Sequence, residues 1–466
     1  MSASPSICII GGGPAGLAAS LAFHNSGYKN INVYESRPES AICCQAPDES
    51  YPIGLNPRGL ESLRELLGDH GGQALDICRL GSPVSSWDVF ATQYEWRVAK
   101  FQSGTVYGTT RSAVVQILLE EIRKREPEII INYSHSFEDM DVASKTATLQ
   151  KVDEGNEKSV VKVQCDCLVV ADDYRSRARD ALAKQSESLV VRQWPWNVTF
   201  RVLLSDQPTD DPKKDASKSK LDPSVHHIVN GVYIATIPDG RWMAVTSCKQ
   251  STEEEQFLLS NDASDENVNR LKEYINYKAP MARHLFSDEE YRKYFSRMTF
   301  TGAVTRISHL LVNDWALIIG DAAHSAIPAT GEGVNASLED ARILQQVLME
   351  SKIAEGEKQE DSGERIAKVL STFQDRRLVD IHALCEIAYN AARPSKKHFF
   401  QSIMVRLVGG LVSKSKQLKW NTKESLMLGP GTHTVEGVMR YSDIVKEWGK
   451  QVERLGGRPS IPVSEL

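Results

Sequence analysis

The sequence lacks several features that would place a protein in a broad class at once. It contains no run of about 18 or more apolar residues, which excludes a helix that spans a bilayer. Its eight cysteines form no C-x-x-C pair, so we expect reduced thiols in a reducing compartment. A net charge of -6 lacks the positive excess typical of nucleic-acid binding. No room for a secretory signal or transit peptide precedes the first predicted strand, so we expect a cytoplasmic or other intracellular location.

The most informative feature that is present is a glycine turn near the start of the chain. The apolar run Ile7–Ile10 predicts a buried strand, and a helix-like run rich in Ala and Leu follows the turn. The spacing fits G-x-G-x-x-G, in which glycines make the turn, admit a diphosphate to the bare backbone and let the helix pack on the strand. We therefore predict dinucleotide binding by Gly11, Gly13, Pro14, Ala15 and Gly16.

A carboxylate ends the second predicted strand. The run that starts at Ile31 leads to Glu35, which lies 24 residues after Gly11. An acid at this position binds the adenosine ribose hydroxyls in this kind of motif. The glycine turn and the acid together predict a bound dinucleotide, but they do not choose between FAD and NAD.

A second long motif follows another predicted strand at 316–319. Asp321, at the carboxyl end of this strand, is placed to hold a ribityl hydroxyl. The N–H groups of Gly331–Gly333, just before a predicted helix, would face an electron-rich ring edge. Reduced flavin carries negative charge near N1 and the C2 carbonyl, and a helix N-terminus stabilises charge of that sign. The motif therefore favours a flavin.

Together the two motifs resemble those of the FAD-dependent aromatic hydroxylases, the group A flavoprotein monooxygenases. That family carries an N-terminal G-x-G-x-x-G and a distal G-D-A-A-H-x-x-x-P-x-x-G-x-G-x-N. The resemblance covers about residues 5–390 and implies FAD as the bound cofactor, with Val334 among the residues that bind it. Every fixed position of the distal motif is matched, by Gly320, Asp321, Ala322, Ala323, His324, Pro328, Gly331, Gly333 and Asn335.

Shorter segments resemble the kynurenine 3-monooxygenase type within that family. Val33–Arg37 is similar to its V-Y-E-A-R, Asn56–Gly59 to its arginine-glycine turn, and Tyr107–Arg111 to the segment before an arginine that contacts FAD. The resemblance makes Arg97 and Tyr107 candidates for holding a substrate carboxylate. It implies FAD contacts from Glu35, Ser36, Arg37, Arg58, Arg111, Asp172, Gly320, Asp321, Gly333, Val334 and Asn335, and a catalytic loop that contains Pro328, Gly331, Gly333 and Asn335.

One segment departs from the family pattern, which is Asp-Gly followed by S-x-V-R. Asp172, Ser176 and Arg179 fit this pattern, but Asp173 replaces the glycine. The resemblance implies that the segment serves both FAD and NADPH. We expect the added carboxylate of Asp173 to weaken NADPH binding or to alter the turn.

The reaction implied by the resemblance has two halves. NAD(P)H reduces the FAD and leaves, and the reduced flavin takes up O2 as a C4a-hydroperoxide. The distal oxygen is then transferred to a small aromatic or conjugated substrate. The protein would orient the reactants, exclude water and stabilise the charge of the flavin. No metal is implied, and His324 is expected to shape its loop and not to act as an acid or base.

Two other functions stay open on the sequence alone. A flavin reductase or dehydrogenase of the same fold would not use O2 productively, and a polar pocket without an aromatic-sized slot would favour it. A catalytically idle FAD-binding regulatory protein is the other alternative, for which Asp173 is the only hint.

The order of the predicted elements indicates an α/β protein whose Rossmann-like FAD-binding domain is interrupted. Alternating strand-like runs between its pieces predict an inserted, mainly antiparallel substrate domain, and a C-terminal helical extension follows. The predicted limits are 1–80, 108–185 and 305–350 for the FAD-binding domain, 81–107 and 186–304 for the substrate domain, and 351–466 for the C-terminal helical region.

The C-terminal region contains a basic amphipathic stretch at 394–416. Phe399, Ile403 and Leu407 belong to one apolar face, and lysines and arginines surround it. Such a helix can lie on an anionic membrane, and eukaryotic relatives of the type that the sequence resembles are attached to membranes at their C-terminus. A helix packed on the FAD-binding domain explains the same pattern. Peripheral contact with an intracellular membrane is therefore one of two alternatives.

Overall fold

The computed structural model describes residues 5–43, 50–68, 81–90, 97–153, 157–206, 221–355, 362–392, 433–434 and 437–446. Its strands are β1 (Ser6–Ile10), β2 (Asn30–Tyr34), β3 (Pro52–Leu55), β4 (Ser82–Phe90), β5 (Arg97–Thr110), β6 (Ile129–Asn132), β7 (His135–Asp141), β8 (Thr146–Val152), β9 (Lys158–Gln164), β10 (Cys167–Val170), β11 (Val191–Pro195), β12 (Val198–Leu204), β13 (Val225–Val229), β14 (Val232–Thr236), β15 (Trp242–Lys249), β16 (Ala303–Ile307), β17 (Leu311–Val312), β18 (Ala316–Ile318), β19 (His433–Thr434) and β20 (Gly437–Val438). Its α-helices are α1 (Pro14–Asn25), α2 (Glu39–Cys43), α3 (Pro57–Leu67), α4 (Arg111–Arg123), α5 (Arg177–Gln185), α6 (Asp265–Lys278), α7 (Asp288–Lys293), α8 (Asp321–His324), α9 (Gly333–Glu355) and α10 (Ser362–Ala392).

A six-stranded sheet forms the centre of the largest hydrophobic core. Its order is β17-β18-β10-β1-β2-β6, and every neighbouring pair is parallel except β17 with β18. β10 is buried at every residue, as expected for a strand that is covered on both faces. Because β18, β10 and β1 are parallel neighbours, the loops that follow them lie side by side at one edge of the sheet. These loops contain the glycine turn, Asp172 and Asp321.

The helices next to this sheet bring distant parts of the chain together. α1 is buried from Pro14 to Phe23, because small and apolar residues fill its length. α9 packs against α1, α3 and α10, so the helix that follows the distal motif lies against the helix that follows the glycine turn. The position of α9 therefore fixes the two motifs relative to each other.

The second large sheet has the order β12-β15-β14-β13-β4-β5-β3. Its neighbouring strands pair antiparallel except β4 and β13, which run parallel. A separate hydrophobic core, which includes Trp242, Leu271 and Tyr291, joins this sheet to α6 and α7. β3 comes from a segment that the sequence assigned to the FAD-binding domain, but it is the edge strand of this sheet and pairs with β5. Residues 52–55 therefore belong to the second sheet.

The predicted fold class is confirmed: the protein is α/β, with a parallel sheet, a mainly antiparallel second sheet and a helical C-terminal part. In that last part, residues 441–446 are helical and pack on α9 and α10 through Tyr441 and Ile444. Among the described residues, no helix is both long and apolar enough to cross a membrane. The basic stretch at 394–416 lies outside the described residues.

Candidate cofactor and substrate site

The glycine turn after β1 passes so close to its neighbours that side chains do not fit. Gly11 has φ +110°, and a Cβ there would lie 2.3 Å from the carbonyl oxygen of Ala171. A Cβ on Gly16 would lie 2.0 Å from the carbonyl oxygen of Gly11. Pro14, at the first position of α1, leaves the helix N-terminus pointing at this bare turn. The turn is therefore a backbone surface that an anionic diphosphate can approach.

Glu35 lies beside this turn, as the sequence predicted for a ribose-binding acid. Its Oε2 accepts the Gly12 N–H at 2.8 Å, and its Oε1 accepts the backbone N–H and the Nε of Arg37, both at 2.9 Å. Ser36 Oγ lies 3.3 Å from Oε1. Burial opposes the charge on Glu35, but the hydrogen bonds and charge of Arg37 and the Gly12 N–H outweigh it and lower the pKa of this carboxyl. The site therefore presents a charged acceptor to a ligand hydroxyl.

Asp321 is a second acid near the glycine turn. Gly320 has φ +58°, and a Cβ there would lie 2.6 Å from the Cβ of Ala15, so the two motif loops touch. Asp321 Oδ1 is buried and has no hydrogen-bond partner in the described part of the chain. It lies 3.7 Å from the place of a Cβ on Gly333. A buried acceptor without a donor fits a hydroxyl group of a bound ligand.

Burial and the neighbouring charges shift the pKa of the Asp321 carboxyl. Burial and, to a smaller extent, the nearby carboxylate of Asp173 raise the pKa of Asp321 to about 6, while His324 and Arg111 oppose this shift. Burial lowers the pKa of Arg111, but the carboxylates of Asp173 and Asp321 raise it to a larger extent. Arg111 Nη2 also lies 3.1 Å from the place of a Cβ on Gly13. A charged guanidinium at this turn suits a diphosphate.

In the loop that leads into α9, some of the N–H groups predicted to face a ligand are already bonded within the protein. The Gly331 N–H donates to the carbonyl oxygen of Pro328 at 3.0 Å. The Glu332 N–H lies 3.4 Å from Thr330 Oγ1. Gly333 and Val334, in the first turn of α9, have N–H groups without an intrahelical acceptor. The donors left for a flavin ring are therefore that of Gly333, which belongs to the predicted set, and that of Val334, which lies one position beyond it.

Asn335 joins this loop to the second sheet. Its Oδ1 accepts the Asn56 N–H at 3.0 Å, and its Nδ2 donates to the carbonyl oxygens of Gly54 and Gly331, both at 2.8 Å. These contacts span the edge strand β3 and the cofactor loop. Asn335 is fully engaged within the protein, and its geometry is that of a residue that holds the loop.

Arg58 was predicted to contact FAD, but the structure surrounds it with protein groups. Only 1% of its side chain is exposed, and it donates to Glu339 Oε1 and to the carbonyl oxygen of Met439, both at 2.5 Å. Its guanidinium lies 3.9 Å from the ring centre of Tyr441. These contacts place Arg58 in the support behind the loop and not among the groups that line it.

The segment after β10 keeps its turn despite the departure from the family pattern. The Asp172 carboxylate accepts the hydroxyl of Ser176, which is the N-cap of α5, and the N–H of Ala178 in the first turn of that helix. Asp173 has φ +77°, the left-handed conformation that a glycine would adopt there, and its Oδ1 accepts the Tyr174 N–H at 2.7 Å. Buried Arg179 donates to the carbonyl oxygen of Ala322 and ties the segment to the Asp321 loop. The added carboxylate therefore changes the charge at the turn and not its shape.

Replacing Asp173 by glycine should tighten NADPH if this turn serves the reductant. Removing a negative charge beside a phosphate-bearing ligand should lower the apparent Kd for NADPH by about fivefold, since the repulsion acts at the surface. The measurement is the rate of anaerobic flavin reduction against NADPH concentration. Asp173→Asn is the matched variant, because it removes the charge and retains a side-chain acceptor for the turn. Equal Kd values for wild type and both variants would contradict this role for the turn.

His324 is locked to Asp340 behind the same loop. Its Nε2 lies 2.6 Å from Asp340 Oδ2, which also accepts the Gly320 N–H, while Asp340 Oδ1 accepts Arg377 Nε at 2.8 Å. Burial opposes the charge on Asp340, but His324 and Arg377 hold its pKa at about 2. The geometry agrees with the expectation that His324 shapes the loop.

An aromatic wall on the second sheet lies close to the Gly54 segment that Asn335 binds, and it was missed at the sequence level. We use this name for Trp87, His226 and Tyr233, which come from three neighbouring strands. The ring centres of Trp87 and His226 are 4.6 Å apart, and Tyr233 Oη lies 2.8 Å from His226 Nδ1. Trp87 also lies 3.9 Å from the place of a Cβ on Gly54, whose carbonyl oxygen Asn335 binds. No local motif marks these residues, because only strand pairing brings them together.

Tyr51 is a further aromatic residue near the acid site. Its ring packs edge-on against Phe200 and Phe300, with ring centres 5.4 and 5.1 Å apart. Burial raises the pKa of Tyr51 to about 12, Arg111 opposes this shift, and Asp321 adds to it. Tyr107, a predicted substrate contact, lies in β5 and packs on the largest hydrophobic core, which surrounds the six-stranded sheet. Arg97 begins β5, but its side chain lies outside the described part of the structure.

Comparison with known proteins assigns the family. The model of the FAD binding domain family matches residues 5–360, and the chain belongs to that family. The predicted resemblance to FAD-dependent aromatic hydroxylases and the prediction of FAD are thereby confirmed. The kynurenine 3-monooxygenase of Debaryomyces hansenii is 24% identical over 354 residues, which are 73% of this chain and 71% of the relative. That of Anopheles gambiae is 22% identical over 401 residues, which are 82% of this chain and 73% of the relative.

Solved structures with the same fold include further oxygenases. The p-nitrophenol 4-monooxygenase of Pseudomonas putida has a TM-score of 0.63 at 16% identity and covers 92% of this chain and 99% of its own. A 2-methyl-3-hydroxypyridine-5-carboxylic acid oxygenase has a TM-score of 0.61 at 16% identity and covers 94% and 99%. At this identity the likeness concerns the fold alone.

Proposed function

We propose that this protein is an FAD-dependent monooxygenase that uses NAD(P)H and O2 to hydroxylate a small aromatic substrate. The observation that carries the proposal is the unpartnered, buried Oδ1 of Asp321 between the glycine turn and the first turn of α9. It supports a bound flavin. The aromatic wall, which lies close to the Gly54 segment that Asn335 binds, supports an aromatic partner for that flavin.

The residues of the chain have separable tasks in this proposal. Bound FAD would supply the reduction by NAD(P)H and the activation of O2. Glu35 would accept the ribose hydroxyls, Arg111 would neutralise the diphosphate, and Asp321 would accept a ribityl hydroxyl. The N–H groups of Gly333 and Val334 would stabilise negative charge on the flavin ring.

The character of the aromatic wall bears on the substrate class. Burial, together with neighbouring His227, lowers the pKa of His226 to about 3, so this histidine is neutral near pH 7. Burial also raises the pKa of Tyr233, which therefore stays a neutral phenol. A neutral wall of π-systems favours a flat aromatic ring by stacking and edge contacts. We propose kynurenine and substituted phenols as the first compounds to test, with Tyr107 and Arg97 as candidate contacts for a carboxylate.

The test is anaerobic reduction of the purified protein by NADPH, followed by the flavin absorbance at 450 nm. Kynurenine and simple phenols are added in turn, and the expected result is faster bleaching with one of them, followed by hydroxylated product when O2 is admitted. A protein that takes up no FAD would overturn the proposal. Reduction that no compound accelerates, together with turnover that releases no hydroxylated product, would favour the reductase or dehydrogenase alternative.

We also propose peripheral membrane contact through residues 394–416. Four cations of this stretch are replaced by glutamine: Lys396, Lys397, Arg406 and Lys414. Each cation near an anionic surface contributes about 1 kcal/mol, so the variant should no longer sediment with phosphatidylserine vesicles. Point variants are preferable to deletion of 394–466, because the deletion also removes Tyr441, which packs on Arg58.

The matched control for the membrane test neutralises four exposed lysines elsewhere in the chain: Lys158, Lys162, Lys184 and Lys249. The control protein should still sediment with the vesicles, since its basic stretch is intact. Wild-type protein that stays in the supernatant with anionic vesicles would remove the membrane proposal.

A further inference from the structure

Glu332 is a buried acid in the middle of the cofactor loop. It stands between Gly331 and Gly333, next to the N–H groups proposed to face the flavin, and none of its surface is exposed. Its carboxylate accepts Asn56 Nδ2 at 3.2 and 3.3 Å and the hydroxyl of Tyr441 at 2.8 Å. The side chain of this loop residue is therefore directed toward groups behind the loop, and one of them comes from 109 residues further along the chain.

Tyr441 lies in a segment that is hydrogen-bonded to Asp380 of α10. The carboxylate of Asp380 accepts Arg440 Nε at 2.9 Å and Ser442 Oγ at 2.6 Å, on either side of Tyr441. The Tyr441 ring is fully buried beneath the guanidinium of Arg58. Burial raises the pKa of Tyr441 well above its usual range, so its hydroxyl remains a donor to Glu332.

Glu332 thus places a carboxyl group in the loop beside the N–H groups that would stabilise negative charge on a reduced flavin. Two effects follow from an acid at this position. While Tyr441 holds the Glu332 carboxylate behind the loop, the loop N–H groups stay in place. If this carboxylate were released, its movement would displace those N–H groups. An unshielded carboxylate would also disfavour negative charge on the flavin, because like charges in a buried site repel strongly.

We propose that Tyr441 is a positioning residue for the flavin site, which acts by holding and shielding Glu332. Tyr441 lies beyond residues 5–360, which the family model matches, so the domain that binds FAD is completed by a segment from outside that match. The inference rests on the proposed function in one respect, namely that FAD binds against the N–H groups of Gly333 and Val334.

Tyr441→Phe is the central variant, because it removes one hydroxyl and keeps the buried ring. The Kd for FAD, measured by quenching of flavin fluorescence, should rise about tenfold, because a Glu332 side chain released from Tyr441 would displace the loop N–H groups from the flavin. The midpoint potential of the bound flavin should become more negative. Glu332→Gln removes the charge and keeps an acceptor for Tyr441, so it should make the potential more positive. A change in packing alone would not shift the potential in opposite directions in these two variants.

Ser442→Ala is the matched control on the same segment. It removes the hydroxyl contact with Asp380, keeps the backbone N–H bond of residue 442 to Asp380 Oδ1, and leaves the Glu332 hydrogen bond in place. Its Kd for FAD should stay within about twofold of the wild-type value. The midpoint potential of its bound flavin should not shift. Equal values for Tyr441→Phe and wild type, or equal losses in Tyr441→Phe and Ser442→Ala, would overturn the inference. Wild-type protein that binds no FAD would instead overturn the proposed function.

Discussion

Replacing Gly16 by alanine is expected to abolish FAD binding and to lower the free energy of unfolding by about 3 kcal/mol. The new Cβ would lie 2.0 Å from the carbonyl oxygen of Gly11 and 3.2 Å from Cγ2 of Ile9. The first of these is a backbone atom inside the tight turn, so relief of the overlap requires α1 to move away from β1. That movement would also open the turn that receives the diphosphate. Urea unfolding and titration with FAD measure the two losses separately.

Gly68→Ala is the control for this prediction. Gly68 ends α3 with φ +73°, and a Cβ there would meet no atom within 4 Å. Alanine at this position should therefore cost about 1 kcal/mol from backbone strain alone and should leave the FAD affinity unchanged. If Gly16→Ala bound FAD as tightly as Gly68→Ala, the assignment of the glycine turn to the cofactor would be wrong.

Asp321→Ala is expected to have the largest effect on FAD affinity among single side-chain removals. The variant loses a buried carboxylate oxygen that has no protein donor in the described part of the chain and is therefore available to the ligand. Loss of a hydrogen bond to a charged group costs about 1.5–3 kcal/mol, so the Kd for FAD should rise by about 10- to 100-fold. Fluorescence titration measures the change. An unaltered Kd would contradict the role given to Asp321.

The same substitution should stabilise the FAD-free protein, and the gain should depend on pH. Burial, with Asp173, raises the pKa of Asp321 to about 6 from an ordinary value of 3.8. The folded state therefore binds this proton more tightly than the unfolded state does. The stability that the proton provides is present below about pH 4 and is lost as the pH rises through 6. The free energy of unfolding of Asp321→Ala minus that of wild type should therefore be about 2–3 kcal/mol larger above pH 7 than at pH 4.

Urea unfolding of the FAD-free proteins at several pH values tests this dependence. Glu187→Ala removes an exposed carboxylate and serves as the control, for which the stability difference from wild type should be nearly independent of pH. A difference between Asp321→Ala and wild type that stays constant from pH 4 to pH 7.5 would contradict the raised pKa. Saturation with FAD should reverse the order of stability at pH 7.5, because the ligand stabilises wild type more.

Several features of the site follow from short stretches of sequence. Gly11 and Gly16 were predicted from spacing alone, because a backbone that touches the next loop admits no side chain in any fold that uses this turn. Glu35 and Asp321 were predicted from their places at the ends of apolar strands. Parallel strand order then brings those ends to one edge. The cofactor class could be predicted because these requirements are local.

Other predicted contacts have different geometry in the structure. Arg58 was expected to meet FAD, but its partners Glu339 and Met439 lie 281 and 381 residues further along the chain. Asn335 binds Gly54 and Asn56, so it holds the loop to an edge strand. A motif specifies that a polar residue stands at a position. Which donors and acceptors surround that residue depends on packing against elements that the motif does not contain.

The sequence by itself determined the glycine turn, the place of the acid after the second strand, the distal loop before a long helix and the α/β class. Each of these depends on backbone conformation or strand order over a few tens of residues. Only the tertiary structure decided the rest: the aromatic wall of Trp87, His226 and Tyr233, and the support of Glu332 by Tyr441. The physical reason is that these groups meet through strand pairing and helix packing across long separations. Such contacts depend on the whole fold, and no spacing within one segment encodes them.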